Sequence, residues 1–135
     1  MTELNLLSQA IEAMSKSYSP YSNCKVGAAL LTKNGKVYTG TNIENAAFSP
    51  TVCAERVAFF KAISEGETEF SAIAVVGGKH GKIDGIFAPC GVCRQVMREF
   101  CNDDFKIIMG INEREYKTIN LSELLPISFS PKDVK

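Results

Sequence analysis

Apolar residues recur at helical spacing at the start of the chain: Leu4, Leu7, Ile11, Met14 and Tyr18. That period predicts an amphipathic helix from about Glu3 to Ser17, broken by the turn-forming run Ser19-Pro20-Tyr21-Ser22-Asn23. The pattern then changes. Val26 to Leu31 is a short apolar run of strand length, and Lys36 to Gly40 follows across Asn34-Gly35, a strong two-residue hairpin signal. Ser49-Pro50-Thr51 offers capping hydroxyls and a helix-starting proline, so a second helix is expected from about Val52 to Ser64, stopping near Gly66. Ala72 to Val76 reads as a buried strand ended by Gly77-Gly78. Residues 79–88 read as a loop, and a third helix is expected from about Cys90 to Phe100. Phe105 to Met109 is a further strand, and Leu121 to Leu125 a short helix stopped by Pro126.

Helices that alternate with strands in this order predict an α/β fold, a three-layer α/β/α arrangement with a mixed sheet. The 135 residues show no internal repeat and no shift in composition, so they read as one domain spanning 1–135, with a flexible tail at about 130–135. Hydrophobic residues make up 45% and charged residues 22%, an ordinary globular balance. Lys+Arg and Asp+Glu each number 15, for a formal net charge of zero. A balanced chain has no broad basic surface for a phosphate backbone, which favours a small substrate over nucleic acid. The N-terminus has no basic stretch followed by an apolar run, and no apolar stretch is long enough to span a bilayer, so a cytoplasmic location and no membrane partner are expected. In that compartment five cysteines (24, 53, 90, 93 and 101) point away from a disulfide framework and toward metal or redox chemistry.

Two segments carry the chemistry: Cys53-Ala54-Glu55-Arg56 and Pro89-Cys90-Gly91-Val92-Cys93. Each places cysteine at the start of an expected helix. There, unpaired N–H groups and the dipole favour the thiolate, the form that binds metal. Three thiolates leave a fourth tetrahedral position for water, the pattern of a catalytic zinc, whereas a structural site closes with four protein ligands. Glu55, two residues after Cys53, is placed to move a proton from that water to a substrate. Three thiolates with Zn²⁺ carry a net negative charge that would blunt the metal's acidity, and Arg56 is placed to offset part of it.

The two segments together resemble the signature of the zinc-dependent nucleoside deaminases. Asn42-Ile43-Glu44-Asn45-Ala46 and Gly27-Ala28-Ala29-Leu30 are similar to the small, homotetrameric cytidine deaminases in particular. The similarity runs from about Tyr18 to Phe129. It implies one zinc per chain on Cys53, Cys90 and Cys93, with Glu55 as the proton shuttle. The reaction implied is hydrolysis of cytidine or deoxycytidine at C4, giving the uridine product and ammonia, as in pyrimidine salvage. It further implies that the Ala54 N–H meets the base carbonyl and that Asn42 and Glu44 hold the ribose 3′-hydroxyl. Phe129 would reach the base from a neighbouring subunit, so that assembly completes each site. Two positions depart from the pattern. Cys24 stands where the family usually has Phe packed on the base, and Phe48 where it often has Tyr. A cysteine offers less stacking area than a ring.

Plainer readings exist for each residue. Cys90-Gly91-Val92-Cys93 fits a thioredoxin-like redox pair. Cys53 fits a buried hydrophobe, and Glu55 an acid in a first helical turn. Asn42 and Glu44 fit turn residues, Phe129 a core aromatic, and Arg94-Gln95 either solvated surface or donors to thiolate sulfur. Cys24 and Cys101 fit packed thiols, and His80 a solvated loop residue. The rival functions are a deaminase of the blasticidin S type and a non-catalytic zinc or redox module.

Overall fold

Alternation along the strands decides the layers. The computed structural model describes residues 1–135. Its strands are β1 (Cys24–Thr32), β2 (Val37–Thr41), β3 (Phe70–Lys79), β4 (Lys106–Gly110) and β5 (Tyr116–Asn120). They form one sheet in the order β2-β1-β3-β4-β5, parallel only between β3 and β4. Val26, Ala28 and Leu30 of β1, with Ile73 and Val75 of β3 and Ile107 and Met109 of β4, face one side. Ala29, Ala72, Ala74, Val76 and Ile108 face the other. A sheet apolar on both faces needs cover on both. Helix α1 (Glu3–Met14) supplies it on the second face, and α2 (Ala54–Ser64) with α3 (Gly91–Phe100) on the first. The mixed α/β/α arrangement expected from the sequence is what forms.

α1 is capped by the Thr2 hydroxyl, which accepts from the Asn5 N–H at 3.1 Å. The helix stops at Met14, short of Ser17, and its buried face differs from the expected one. Leu6, Leu7, Ala10, Ala13 and Met14 are buried, whereas Leu4 and Tyr18 are exposed. The helix lies on β1 at Gly27, where a Cβ would fall 2.0 Å from the Ala10 carbonyl oxygen. That close approach turns the small alanines inward.

The hairpin connection is longer than two residues. The Thr32 N–H donates to the Lys36 carbonyl at 2.9 Å, which leaves residues 33–35 as a three-residue loop with Gly35 at φ 90°. Gly77 and Gly78 lie within β3 and do not end it. A Cβ on Gly77 would meet the Phe87 ring at 2.2 Å, and one on Gly78 the Lys82 carbonyl oxygen at 1.8 Å, so the returning loop packs on bare backbone. β5 was not expected. It pairs antiparallel with β4 and leads into α4 (Leu121–Leu124), whose capping box joins Asn120 and Glu123. Beyond Pro126, Pro131–Asp133 form one 3₁₀ turn capped through Ser130 and Asp133. No helix is long and apolar enough to cross a membrane.

Helix α2 starts at Ala54, two residues later than expected, because Val52 is held extended. Ile43 and Val52 exchange two backbone hydrogen bonds at 3.0 Å each, and the chain turns helical only after Cys53, at φ −78° and ψ 155°. The first turn of α2 rests on β2 at Gly40. A Cβ there would lie 2.4 Å from the Ala54 carbonyl oxygen and 2.6 Å from the Ala58 nitrogen. Both neighbours are backbone, so Gly40→Ala should lower stability by about 1–3 kcal/mol in urea unfolding. Unfolding at the parent midpoint would show that β2, an edge strand, yields instead.

Candidate metal centre and active site

Cys53 and Cys90 are the N-cap residues of α2 and α3, and neither side chain is spent on capping its own helix. Cys93 lies one turn into α3 and is 1% exposed. Both helix starts converge, so the three sulfur atoms lie within 4.8 Å of one another. Cys53 Sγ to Cys90 Sγ and Cys90 Sγ to Cys93 Sγ are each 3.6 Å. Tetrahedral zinc with Zn–S bonds near 2.3 Å needs sulfur pairs about 3.8 Å apart, so the donor set fits that ion. The sulfurs are free thiols. Only three converge, which leaves a tetrahedral ion one position for a non-protein ligand.

The surroundings favour thiolate at Cys53. The thiol of Cys93, followed by the Arg56 guanidinium and Cys90, brings the Cys53 pKa down to about 5, although partial burial opposes this. Cys93 shifts upward, because its proton is shared with Cys53 and its site is dry. Arg56 Nη2 donates to Cys53 Sγ at 3.4 Å, where a charge-compensating residue has to sit.

Glu55 is 3% exposed. Burial pushes its carboxyl up to about 7, the Cys53 charge adds to the rise, and Arg56 opposes it. A carboxyl poised near neutrality suits a group that takes and returns a proton. Ala54 is fully buried, and as the first residue of α2 its N–H has no intrahelical acceptor.

The segment 42–44 is tied directly to this centre. Ile43 pairs with Val52, the residue before Cys53, and on its other side with Tyr18. Asn42 is buried and almost fully engaged. Its Oδ1 accepts from the Val26 N–H at 2.9 Å and from the Ser17 hydroxyl, and its Nδ2 donates to the Cys24 carbonyl at 2.8 Å. The Val26 N–H fixes which way the amide points. One Nδ2 hydrogen stays free. Glu44 accepts from the backbone N–H groups of Tyr21 at 2.9 Å and Ser22 at 3.1 Å, and from the Ser22 hydroxyl. Cys24 opens β1, half-buried, with its backbone held by Asn42 and Ser22. Asn42, Glu44 and Cys24 are therefore brought together.

Phe129 stands apart in the chain but is anchored to α3. Its carbonyl accepts from Gln95 Nε2 at 3.0 Å, and the residue is 62% exposed. Arg94 donates to the carbonyls of Pro89 at 2.8 Å and Leu124 at 2.9 Å. It braces the loop before Cys90 against the C-terminal segment and makes no bond to sulfur. Phe48, at φ 63°, is exposed and meets the Tyr21 ring edge-on at 6.3 Å between centroids. His80 is exposed. Sequence reading missed Ser17 and Ser22, since isolated serines in a turn carry no period or motif.

Residues 1–110 match the family model described as the cytidine and deoxycytidylate deaminase zinc-binding region. A cytidine deaminase from Halalkalibacterium halodurans is 47% identical over 129 residues, covering 96% of this chain and 95% of that protein. One from Sporosarcina psychrophila is 43% identical over 129 residues, covering 96% and 92%. The crystal structure of cytidine deaminase from Burkholderia pseudomallei superposes with a TM-score of 0.87 at 44% identity, covering 96% of this chain and all of that one.

Proposed function

The chain belongs to the cytidine and deoxycytidylate deaminase family, and from that membership and the site we propose that it hydrolyses cytidine and deoxycytidine to uridine and deoxyuridine plus ammonia. One observation carries the reading: three cysteine sulfurs converge beside a buried carboxyl, with one tetrahedral position left for water. Zinc on Cys53, Cys90 and Cys93 supplies, when bound, the acidity that makes water a nucleophile near neutral pH.

The protein residues then do the rest. Glu55 takes the proton from the attacking water as oxygen adds at C4, and gives it to N3 of the ring. Glu55 then takes the proton of the new C4 hydroxyl and gives it to the exocyclic nitrogen, so the C4–N bond breaks as the C4 carbonyl forms and ammonia leaves. The Ala54 N–H holds the base carbonyl. Asn42 offers its free Nδ2 hydrogen, and Glu44 a lone pair, to the ribose 3′-hydroxyl, which both donates and accepts. Cys24 lines the base side with less stacking area than a ring. Loss of the cytosine absorbance from cytidine incubated with zinc-loaded protein tests the reaction. An unchanged spectrum at one zinc per chain would refute it.

Arg56 supports the same chemistry from beside Cys53. Arg56→Gln should lower kcat by about 10–100-fold, the usual cost of removing a partner of a metal ligand. Steady-state kinetics with zinc content measured on the same sample checks this, and unchanged turnover would reduce Arg56 to packing.

The finer assignments follow from the family reading. Residues 1–135 act as one deaminase domain in the cytoplasm, in pyrimidine salvage. Four copies assemble, with Phe129 of each completing a neighbour's site. Exposed Val92 (57%), which sits between Cys90 and Cys93, Ile127 and Phe129 support a covered surface there.

A further inference from the structure

Glu44 is held by more than it needs to close a turn. Its Oε1 accepts two backbone N–H groups, from Tyr21 and Ser22. Those two bonds saturate one oxygen and leave the carboxylate free to pivot about it. The Ser22 hydroxyl removes that freedom, because it donates to Oε2. The same hydroxyl accepts from the Cys24 N–H at 3.0 Å, which fixes its own rotamer. A chain of bonds thus runs from the first residue of β1 through Ser22 to the outer oxygen of Glu44. Oε2 is left with one open lone pair in a set direction.

We propose that Ser22 is a positioning residue that aims the open lone pair of Glu44 at the ribose 3′-hydroxyl and so sets the enzyme's preference for substrates that carry one. The inference rests on the reading of Asn42 and Glu44 as ribose ligands. The Ser22 hydroxyl is the leading cause that holds the Glu44 carboxyl below its ordinary range, so the group stays an acceptor. Backbone N–H groups alone cannot replace it, since both meet the same oxygen. Ser22 is half-buried, and the segment between Tyr21 and Cys24 is short, so a serine lost here would leave Oε2 to solvent.

The test compares kcat/KM for cytidine with that for 3′-deoxycytidine, in the zinc-loaded parent and in Ser22→Ala, Ser22→Thr and Glu44→Gln. The parent should prefer cytidine. Ser22→Ala should lose about tenfold of that preference, near the lower end for one hydrogen bond to a charged group. The loss should fall on cytidine alone, because 3′-deoxycytidine has no hydroxyl to misplace, and Ser22→Thr should restore the preference. If Ser22→Ala weakens both substrates equally, Ser22 only braces the loop and the inference is overturned. If Glu44→Gln also leaves the preference intact, the ribose reading fails with it. Ser22→Cys, which keeps the volume but is a weak donor, carries the same test should the alanine variant not fold.

Discussion

Glu55→Gln should retain zinc and lose cytidine turnover by about 10²–10⁴-fold, the range that general acid–base catalysis contributes. Glutamine keeps the shape and can still hydrogen-bond, but it cannot carry one proton from water to N3 and a second from the C4 hydroxyl to the leaving amine. Stability should move the other way. Burial lifts the Glu55 pKa from 4.5 to about 7, so across that interval the folded chain binds a proton that the unfolded chain has lost. Stability therefore falls as the pH rises from about 4.5 to 7, and the buried carboxylate costs stability above it. The amide removes this penalty, so the variant should melt no lower than the parent at pH 7. Lost activity with retained stability is what a residue kept for function shows. Were Glu55 only a favourable acid in a first helical turn, the substitution would cost up to about 1 kcal/mol of stability and leave turnover alone. Kinetics, metal content and a thermal melt on one preparation separate the two outcomes.

The cluster that could hold the metal was legible in the sequence because metal chemistry calls for that residue type at helix starts, and the structure brings the sulfurs of Cys53, Cys90 and Cys93 together. Glu55, read as the proposed shuttle from its place two residues after Cys53, is buried in the first turn of α2. What was not legible lies where tertiary contact overrides local pattern. Val52 looked helical after Ser49-Pro50-Thr51, yet its bridge to Ile43 keeps it extended and makes Cys53 the cap. Gly77 and Gly78 looked like the end of a strand, yet β3 runs to Lys79, because the Phe87 ring and the Lys82 carbonyl need the space that a Cβ would fill. The inward face of α1 was assigned to its large residues, whereas the close approach at Gly27 chose Ala10 and Ala13 with Leu6 and Leu7. β5 was missed because Tyr116 to Asn120 is a five-residue edge strand with no buried residue, and so too short and too wet to show a clear alternation. Ser17 and Ser22 escaped for a related reason. Their importance lies in which side chains they meet, 25 and 22 residues along the chain.

Removal of zinc should abolish turnover, destabilise the fold and change which thiols react. An ion present at a thousand times its dissociation constant stabilises the native state by about 4 kcal/mol, and all of that is lost on chelation. The freed sulfurs should then differ in reactivity. Cys53, brought down to about 5 by Cys93 and Arg56, and Cys90, which is exposed, should be modified quickly by a disulfide reagent at pH 7. Cys93 should follow slowly, since at 1% exposure it needs α3 to open. Cys101 should stay silent in both forms, being 9% exposed and pushed up to about 12 by burial. Cys24 lies outside the cluster and sets a background common to both. The zinc-loaded protein should thus gain two fast thiols and one slow thiol when treated with chelator. A redox module built on Cys90 and Cys93 predicts something else: no cytidine turnover for chelator to abolish, and two thiols missing from the zinc-free count because they have paired. Since Cys90 is as close to Cys53 as to Cys93, and all three sulfurs lie within 4.8 Å of one another, the geometry favours one ion over one disulfide.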